Sequence, residues 1–450
     1  MIALERFDQS GDRLPDRWYN VIPDLPRAPD DLLDPDTMAP ASVAYLERLL
    51  PSSLVAQDRS TERWIAIPDA VRAAYRSWRP TPLMRAHALE AALDTPAEIY
   101  FKYEGGSPSG SHKLNSAIAQ AYFARNQGVD RLVTDTGAGQ WGSALALAGA
   151  LFGIDVHVFM ARSSYYQKPY RRHLMETYGA TVEPSPGPAT EFGRSLLAQD
   201  PDHPGSEGTA VSEALEVVRA DRGARFSMGA FANHVLLHQT VIGLEAREQL
   251  DELGREPDFL VASVGCGSNM GGFALPWVAD KLRGALDVEI VAAEPDACAT
   301  LTRGSYRYDF PDAGGSGPMV RTYTLGHEFL PPPIHAGGLR YHGAAPLIGL
   351  LRAEGILDAR AYPQLEVFDA ARSAARATGL LPAPETAHAI RAVIDIARQC
   401  RESRRRATIV FCWSGLGTLD LEAYGRYNTG TLADAETFAA ATDAHVRGRA

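Results

Sequence analysis

The sequence has little cysteine, no surplus of positive charge and no long apolar run. Cysteine occurs four times in 450 residues, at 266, 298, 400 and 412, and never as a CxxC pair. That excludes a disulfide framework and a clustered zinc site, and it fits a reducing compartment. Lys plus Arg number 44 against 55 Asp plus Glu, a formal net charge of -11. Broad nucleic-acid binding needs a basic face, so no nucleic-acid partner is expected. The one dense basic run, Arg401 with Arg404, Arg405 and Arg406, reads as a solvated helix end ahead of a strand. The best apolar stretch, 144–154, is interrupted at Asp155 and is too short to cross a bilayer, so no membrane role is expected. The opening residues, MIALERFDQSGDRLPDRW, are charged throughout and lack the apolar centre of a signal peptide. A cytoplasmic location is the resulting expectation.

What the chain does contain is a globular composition, 45% hydrophobic and 22% charged, over a length that suits two to four domains of roughly 100–200 residues each. Residues 1–80 are rich in Pro, Asp and Arg and read as an irregular extension with a helix or two, one at 68–78. The turn-forming RPTPL (79–83) follows. From there a strand, a glycine-bearing loop and a helix recur. The spacing predicts strands at 98–103, 131–134, 156–160, 259–264, 288–293 and 407–412. It predicts helices at 115–126 and 141–152, and one after GCGSN running to 282. Such alternation means an α/β fold with parallel sheet and helices on both faces. The Gly- and Pro-rich stretch 304–333 reads as a functional loop rather than core. Ligands of open α/β sheets sit at the carboxyl ends of strands, so the glycine-rich loops are candidates for one shared site.

Three of those loops carry chemistry. GCGSN, Gly265 to Asn269, opens a helix, where glycines admit close approach and exposed N–H groups suit a phosphate. It lacks the P-loop pattern GxxxxGK[ST] and the dinucleotide pattern GxGxxG, so a small phosphorylated cofactor fits better. Lys113 in GSPSGSHKLN follows a strand and precedes a helix, with His112 and Asn115 beside it. A lysine at a helix start is more often solvated surface. One that forms a Schiff base must be desolvated enough to be neutral. Together, a lysine for an aldehyde and a nest for a phosphate point to pyridoxal 5'-phosphate, an electron sink whose ring nitrogen needs a partner. Ser414 in WSGLG is the candidate: a hydroxyl suits an unprotonated ring nitrogen, which favours β-elimination and replacement. In TDTGAGQWG, residues 134–142, a second nest of N–H groups suits a substrate carboxylate, with Asp135 at the strand end facing the reacting centre.

Nearly the whole chain resembles the tryptophan synthase beta chain family of fold-type II pyridoxal phosphate enzymes, in its longer second branch with an N-terminal extension. The resemblance runs through WYN and PDLP (18–26), STERW (60–64), RPTPL, FKYEGGSPSGSHKLN, TGAGQWGS, QKPYRR (167–172) and HVLLHQTVIGLEA (234–246). It continues in TLGHEF (324–329), PPPIHAGGLRYHG (331–343), GLLPAPETAHAI (379–390) and WSGLG. It implies two doubly wound parallel-sheet domains. Residues 1–80 would be the extension and 81–111 a crossover belonging to the C-terminal domain. Residues 112–232 would form the N-terminal domain, with a mobile cap at about 130–215, and 233–450 the cofactor-phosphate domain. Lys113 would bind the cofactor covalently, with His112 and Asn115 beside it. Gly265, Cys266, Gly267, Ser268 and Asn269 would cradle the phosphate, Ser414 would meet the ring nitrogen and Glu385 would lie near the ring. Thr136, Gly137, Ala138, Gly139, Gln140 and Trp141 would bind substrate. The implied reaction is β-replacement on serine through an aminoacrylate, with indole adding at carbon 3 to give tryptophan. The resemblance also implies a homodimer, leaves an alpha-chain partner open, and brings a monovalent cation, K+ or Na+, as a further expectation.

Four residues depart from the family pattern. Asp135 stands where the family has the glutamate that takes the leaving-group proton and bonds the indole N–H. Cys266 replaces a glycine and is expected to crowd the phosphate. Leu416 stands where a polar residue is common. Arg340 stands where the shorter branch has an acid for the serine hydroxyl, and it suits the phosphate of O-phosphoserine. A shortened acid admits attack through nitrogen, giving an N-linked isotryptophan. A serine or threonine ammonia-lyase on the same fold is the alternative from another reaction class.

Overall fold

The protein is described from a computed structural model over residues 4–7 and 13–435. Its larger sheet has seven strands in the order Glu5–Phe7, Leu83–Arg85, Glu98–Tyr103, Thr408–Trp413, Phe259–Ser263, Glu289–Pro295 and Asp358–Tyr362. The first two are antiparallel additions, and the rest pair in parallel. Phe259–Ser263 and Thr408–Trp413 are buried along their whole length. Both are short apolar runs without alternation, as a central parallel strand covered on both faces requires. The smaller sheet has four parallel strands in the order Thr181–Ser185, Asp155–Ala161, Arg131–Thr136 and Ala224–Ser227. Helix Leu114–Asn126, which begins just after Lys113, packs against helix Gln140–Phe152 of the small-sheet unit.

Two expectations change. The extension holds three helices, Val43–Leu49, Ser52–Asp58 and Asp69–Tyr75, rather than one or two. The 304–333 stretch is not all loop: Ser305–Asp309 and Val320–Thr324 form an antiparallel hairpin, closed in part by the Thr324 hydroxyl donating to Asp309 Oδ2 at 2.6 Å. SYRYD and VRTYT have the period-two pattern of a strand, which the flanking glycines and prolines obscured.

A buried charge cluster joins four separate segments. The Arg79 guanidinium donates to Glu245 Oε1 at 2.9 Å and Oε2 at 2.8 Å, and to Glu104 Oε2 at 2.9 Å and Oε1 at 3.2 Å. It also donates to Asn115 Oδ1 at 2.9 Å. Lys102 Nζ stands 2.8 Å from Glu245 Oε2. All four charged side chains have 0% exposure. Two cations face two carboxylates in a fork geometry, which is how a buried charge is tolerated. Burial works to raise the pKa of Glu104, but Arg79 and Lys102 outweigh it and hold the carboxyl down at about 2.

Glu245→Gln leaves two buried cations opposed by Glu104 alone. The expected loss is about 3 kcal/mol or more, read as a lower urea midpoint, and an unchanged midpoint refutes the anchoring role. Because the folded pKa of Glu104 is depressed, its contribution is complete above the ordinary value of 4.5 and is lost as pH falls towards 2. Stability measured across that window therefore drops more steeply in the wild type than in Glu104→Gln.

Candidate active site

The strand ends deliver the chemistry. Strand Glu98–Tyr103 pairs in register with Thr408–Trp413, so the segments that follow them emerge side by side. The backbone N–H of His112 donates to the Ser414 carbonyl at 2.9 Å, and that of Leu416 to the Gly110 carbonyl at 2.9 Å. These two bonds set Lys113 and Ser414 on facing walls of one cavity. Strand Phe259–Ser263 brings Gly265 to Asn269 to the same cavity, whose lining also includes Gln140, Gly338 and Glu385. Leu416 thus contributes a backbone bond that any residue type can make.

Lys113 Nζ donates to the Gly229 carbonyl at 2.7 Å and to Ser268 Oγ at 3.1 Å. His112 Nε2 is 3.0 Å from the same hydroxyl. Burial lowers the pKa of Lys113, against the raising fields of Cys266, Glu207, Asp135 and Glu385. Burial, then the charge of Lys113, bring His112 down to about 3, so it is neutral at any ordinary pH. Ser414 Oγ is 2.8 Å from Thr386 Oγ1, which also accepts the Gly415 N–H at 3.1 Å. Glu385 Oε1 accepts the Gly338 N–H at 2.8 Å.

The cavity suits a phosphorylated aldehyde. Gly267 has φ of +118°, where a Cβ would stand 2.5 Å from Ile348 Cγ1. Its glycine opens helix Ser268–Leu282, whose first N–H groups suit an anion. Three buried polar atoms of the lining have no partner: Ser111 Oγ, Asn269 Oδ1 and Glu385 Oε2. Cys266 does not simply fill the nest. Its side chain packs with Ala230 and Tyr341 on the wall of a second cavity.

That second cavity is apolar and about 270 Å³ in volume, at the small end of ligand sites, which start near roughly 300 Å³. Leu46, Leu49 and Leu50 of the extension form one side, and Phe226, Met228 and Phe231 another. Asp30, Asp31 and Asp58 lie on the extension's side of it, and Asp135 and Glu207 are the acids on the side of the cofactor cavity. Burial pushes Asp135 well above the usual carboxylate range, and Glu207 adds to the rise. Burial likewise lifts Glu207 to about 7, against the fields of Lys113 and Arg340.

Among the substrate candidates, Gly137 and Ala138 face the Gly337 backbone, which a Cβ at Gly137 would meet at 3.1 Å. Thr136 Oγ1 accepts the N–H groups of Gly139 at 3.1 Å and Gly142 at 3.3 Å. That leaves the N–H groups of Gly137, Ala138 and Gln140 to meet a carboxylate. Of the substrate candidates only Gln140 lines the cofactor cavity, and Thr136, Gly137, Ala138 and Gly139 line neither cavity. Three further candidates have side chains placed away from the cofactor cavity. The Asn115 side chain is engaged by Arg79, Glu104 and Gln239. The Trp141 ring lies against Gly229, where a Cβ would strike it at 2.4 Å, and its N–H donates to Thr134 Oγ1 at 2.7 Å. Arg340 is buried, its Nε lacks a partner, and Nη2 reaches the Pro331 carbonyl at 3.4 Å. Neither cavity is lined by any of these three. The sequence reading missed Glu207, Gly229 and Thr386. Only Thr386 lay inside a quoted motif. Among the described residues no cluster of His, Cys, Asp or Glu is arranged to hold a metal ion.

The pattern of the family described as "Pyridoxal-phosphate dependent enzyme" matches residues 75–415. Tryptophan synthase beta chain 2 of Aeropyrum pernix is 54% identical over 97% of this chain and 98% of its own. The beta chain 2 of Thermotoga maritima is 54% identical over 92% of this chain and 98% of its own. This chain belongs to the tryptophan synthase beta chain family. Membership makes it a pyridoxal-phosphate-dependent enzyme of the α/β class expected from the sequence. The fold alone is shared with the T.th. threonine deaminase at a TM-score of 0.56 and 21% identity, covering 77% of this chain and 97% of that one. Maize serine racemase gives a TM-score of 0.55 and 20% identity, covering 81% of this chain and 98% of its own.

Ser414→Ala removes one hydrogen-bonding hydroxyl from the cavity lining and keeps Lys113 intact. Cofactor affinity is expected to fall by about two- to tenfold, as one net hydrogen bond of roughly 0.5–1.5 kcal/mol implies. Absorbance titration with cofactor measures it, and undiminished affinity removes Ser414 from the site.

Proposed function

We propose that this enzyme joins L-serine to indole by pyridoxal-phosphate-dependent β-replacement, giving L-tryptophan. The observation that carries this reading is the adjacency of two cavities. One has a desolvated lysine and an anion nest. The other is apolar, of two-ring size, and supplied with acids. When bound, the cofactor takes up the electron pair released at the amino acid's α-carbon.

The chain's own residues do the rest. Ser268 and the N–H groups from Gly265 to Asn269 hold the phosphate, with neutral His112 beside it. Ser414, oriented by Thr386, meets the ring nitrogen as an uncharged partner. Gly137, Ala138 and Gln140 bind the substrate carboxylate through N–H groups fixed by the turn that Thr136 closes. Lys113 then stands where its neutral amine can take the α-proton. The apolar chamber orients the nucleophile and excludes water, which would otherwise divert the reaction to keto acid and ammonia.

The cap assignment of about 130–215 belongs to the same reading. Lys168 and Arg171 of this segment both pair with Asp420 at 2.9 Å, a latch suited to a closed form. Small molecules are the substrates, a homodimer is the assembly and the cytoplasm the location. No helix of the described residues is long and apolar enough to cross a membrane. Because the extension already walls the chamber, an alpha chain that delivers indole has to dock outside that wall.

One pair of reactions tests the reading: holoenzyme with indole and either serine or O-phosphoserine, with the product linkage read by NMR. A C3-linked side chain is expected. An N1-linked product, or keto acid alone, overturns it. Preference for O-phosphoserine would bring Arg340 into the leaving-group site.

A further inference from the structure

Glu207 belongs to none of the motifs, yet it stands where the two cavities meet. Lys113 and Ser414 line only the cofactor cavity and Asp135 only the apolar chamber, whereas Glu207 lines both. A β-carbon held near Lys113 and a nucleophile arriving through the chamber meet at that boundary.

The position is built rather than accidental. Glu207 is the first residue of helix Glu207–Ala220. Ser206 caps that helix by accepting the Thr209 N–H at 3.1 Å, while Thr209 Oγ1 accepts the Ser206 N–H at 3.0 Å. The tip of the 305–324 hairpin clamps the same turn, with the Ala313 N–H donating to the Gly208 carbonyl at 3.1 Å. Across the gap, Gly137 leaves room: a Cβ there would stand 2.8 Å from Glu207 Oε2. Asp135, 5% exposed, and Glu207 both line the chamber.

We propose that Glu207 is the catalytic acid–base of the β-replacement, with Asp135 as its partner in a carboxyl pair that holds one proton. This rests on the β-replacement reading above. An aspartate arm is one carbon–carbon bond shorter than a glutamate arm, about 1.5 Å, and a displacement near 1 Å can cost roughly a hundredfold in rate. Glu207, reaching in from the opposite element, supplies the missing length. Two carboxyls largely shielded from water and facing one space cannot both ionise cheaply, so their proton belongs to the pair. Lys113 and Arg340 are the cations that face Glu207, and Asp135, Cys266 and Tyr341 complete the titratable groups around it. Its neutral form thus persists to about pH 7, where an acid–base group works best.

The protons balance. Lys113 removes the α-proton, the Cβ–O bond breaks with its electron pair on oxygen, and the pair's proton goes to that oxygen, so water leaves. The indole C3–Cβ bond then forms, the C3 proton passes to the ionised pair, and Lys113 returns its proton to the α-carbon. Serine and indole become tryptophan and water, and both groups end as they began.

The test compares holoenzyme wild type, Glu207→Gln, Glu207→Asp and the double variant Asp135→Glu/Glu207→Gln. Glu207→Gln is expected to lose roughly a hundredfold or more in kcat for tryptophan and to lose the inflection near pH 7. Glu207→Asp should fall between it and the wild type. Adding Asp135→Glu to Glu207→Gln should recover at least about tenfold, because the reach is restored from the other side. A merely structural glutamate predicts no such rescue. Elimination from β-chloro-L-alanine, whose chloride leaves without a proton, should suffer much less than elimination from serine. The infrared C=O band of a protonated carboxyl, present in the wild type below pH 7 and absent in Glu207→Gln, reads the pair without turnover. Wild-type kcat and pH profile in Glu207→Gln overturn the proposal, as does a band that ignores the substitution. A wild type that shows the band but makes no β-substituted product refutes the β-replacement reading instead.

Discussion

Arg79 lies between two carboxylates where no water reaches, and the geometry of the cofactor cavity depends on it. Its partners come from strand Glu98–Tyr103 and its continuation at Glu104, from helix Val241–Glu252 through Glu245, and from the lysine helix through Asn115. Arg79 itself ends the N-terminal extension. Burying charges gains little stability against well-packed apolar groups, so what such a cluster provides is direction: each fork bond is satisfied in one arrangement only. Lys102 enters the same cluster from the strand that leads to Lys113. The lysine helix is therefore held at its start, where a shift of an ångström would matter most.

Desolvation then acts on the groups that this clamp positions. It lowers the pKa of Lys113 towards the neutral amine, keeps His112 uncharged and lifts Asp135 and Glu207. One physical cause thus prepares a base for the α-carbon and an acid for the β-carbon, by acting oppositely on cations and anions. The extension contributes here as well. Its leucines at 46, 49 and 50 give the chamber an apolar wall. The hairpin tip contributes by fixing the helix turn that carries Glu207.

Much of this was legible along the chain. Strands such as FLVAS and TIVFCW are apolar without alternation, and each ends in a glycine-bearing loop, so their place in a central parallel sheet could be read directly. Gly265 to Asn269, Lys113 and Ser414 were readable because the chemistry of a phosphorylated aldehyde demands those residue types after strands. Asn115 and Trp141 show where reading along the chain stops. A side chain next to a motif shares its neighbourhood in sequence, but its direction is set by packing, and both turn towards interior partners. The hairpin at 305–324 was hidden because its glycines and prolines sit between strands whose alternation is brief.

The sequence by itself determined the sheet class and the cofactor, and it singled out the lysine and the nest as candidates, because each follows from local residue types and their spacing. Only the tertiary structure decided which acids meet. Asp135 is the last residue but one of a strand of the small sheet, and Glu207 begins a helix after a long intervening stretch. No local pattern links them, and Glu207 reads in sequence as an ordinary acid in the first turn of a helix. Their meeting depends on how that helix packs on the small sheet and on the hairpin that clamps its first turn. Position in three dimensions, and the loss of water that comes with it, turn one remarked carboxyl and one unremarked one into a pair facing the reacting centre.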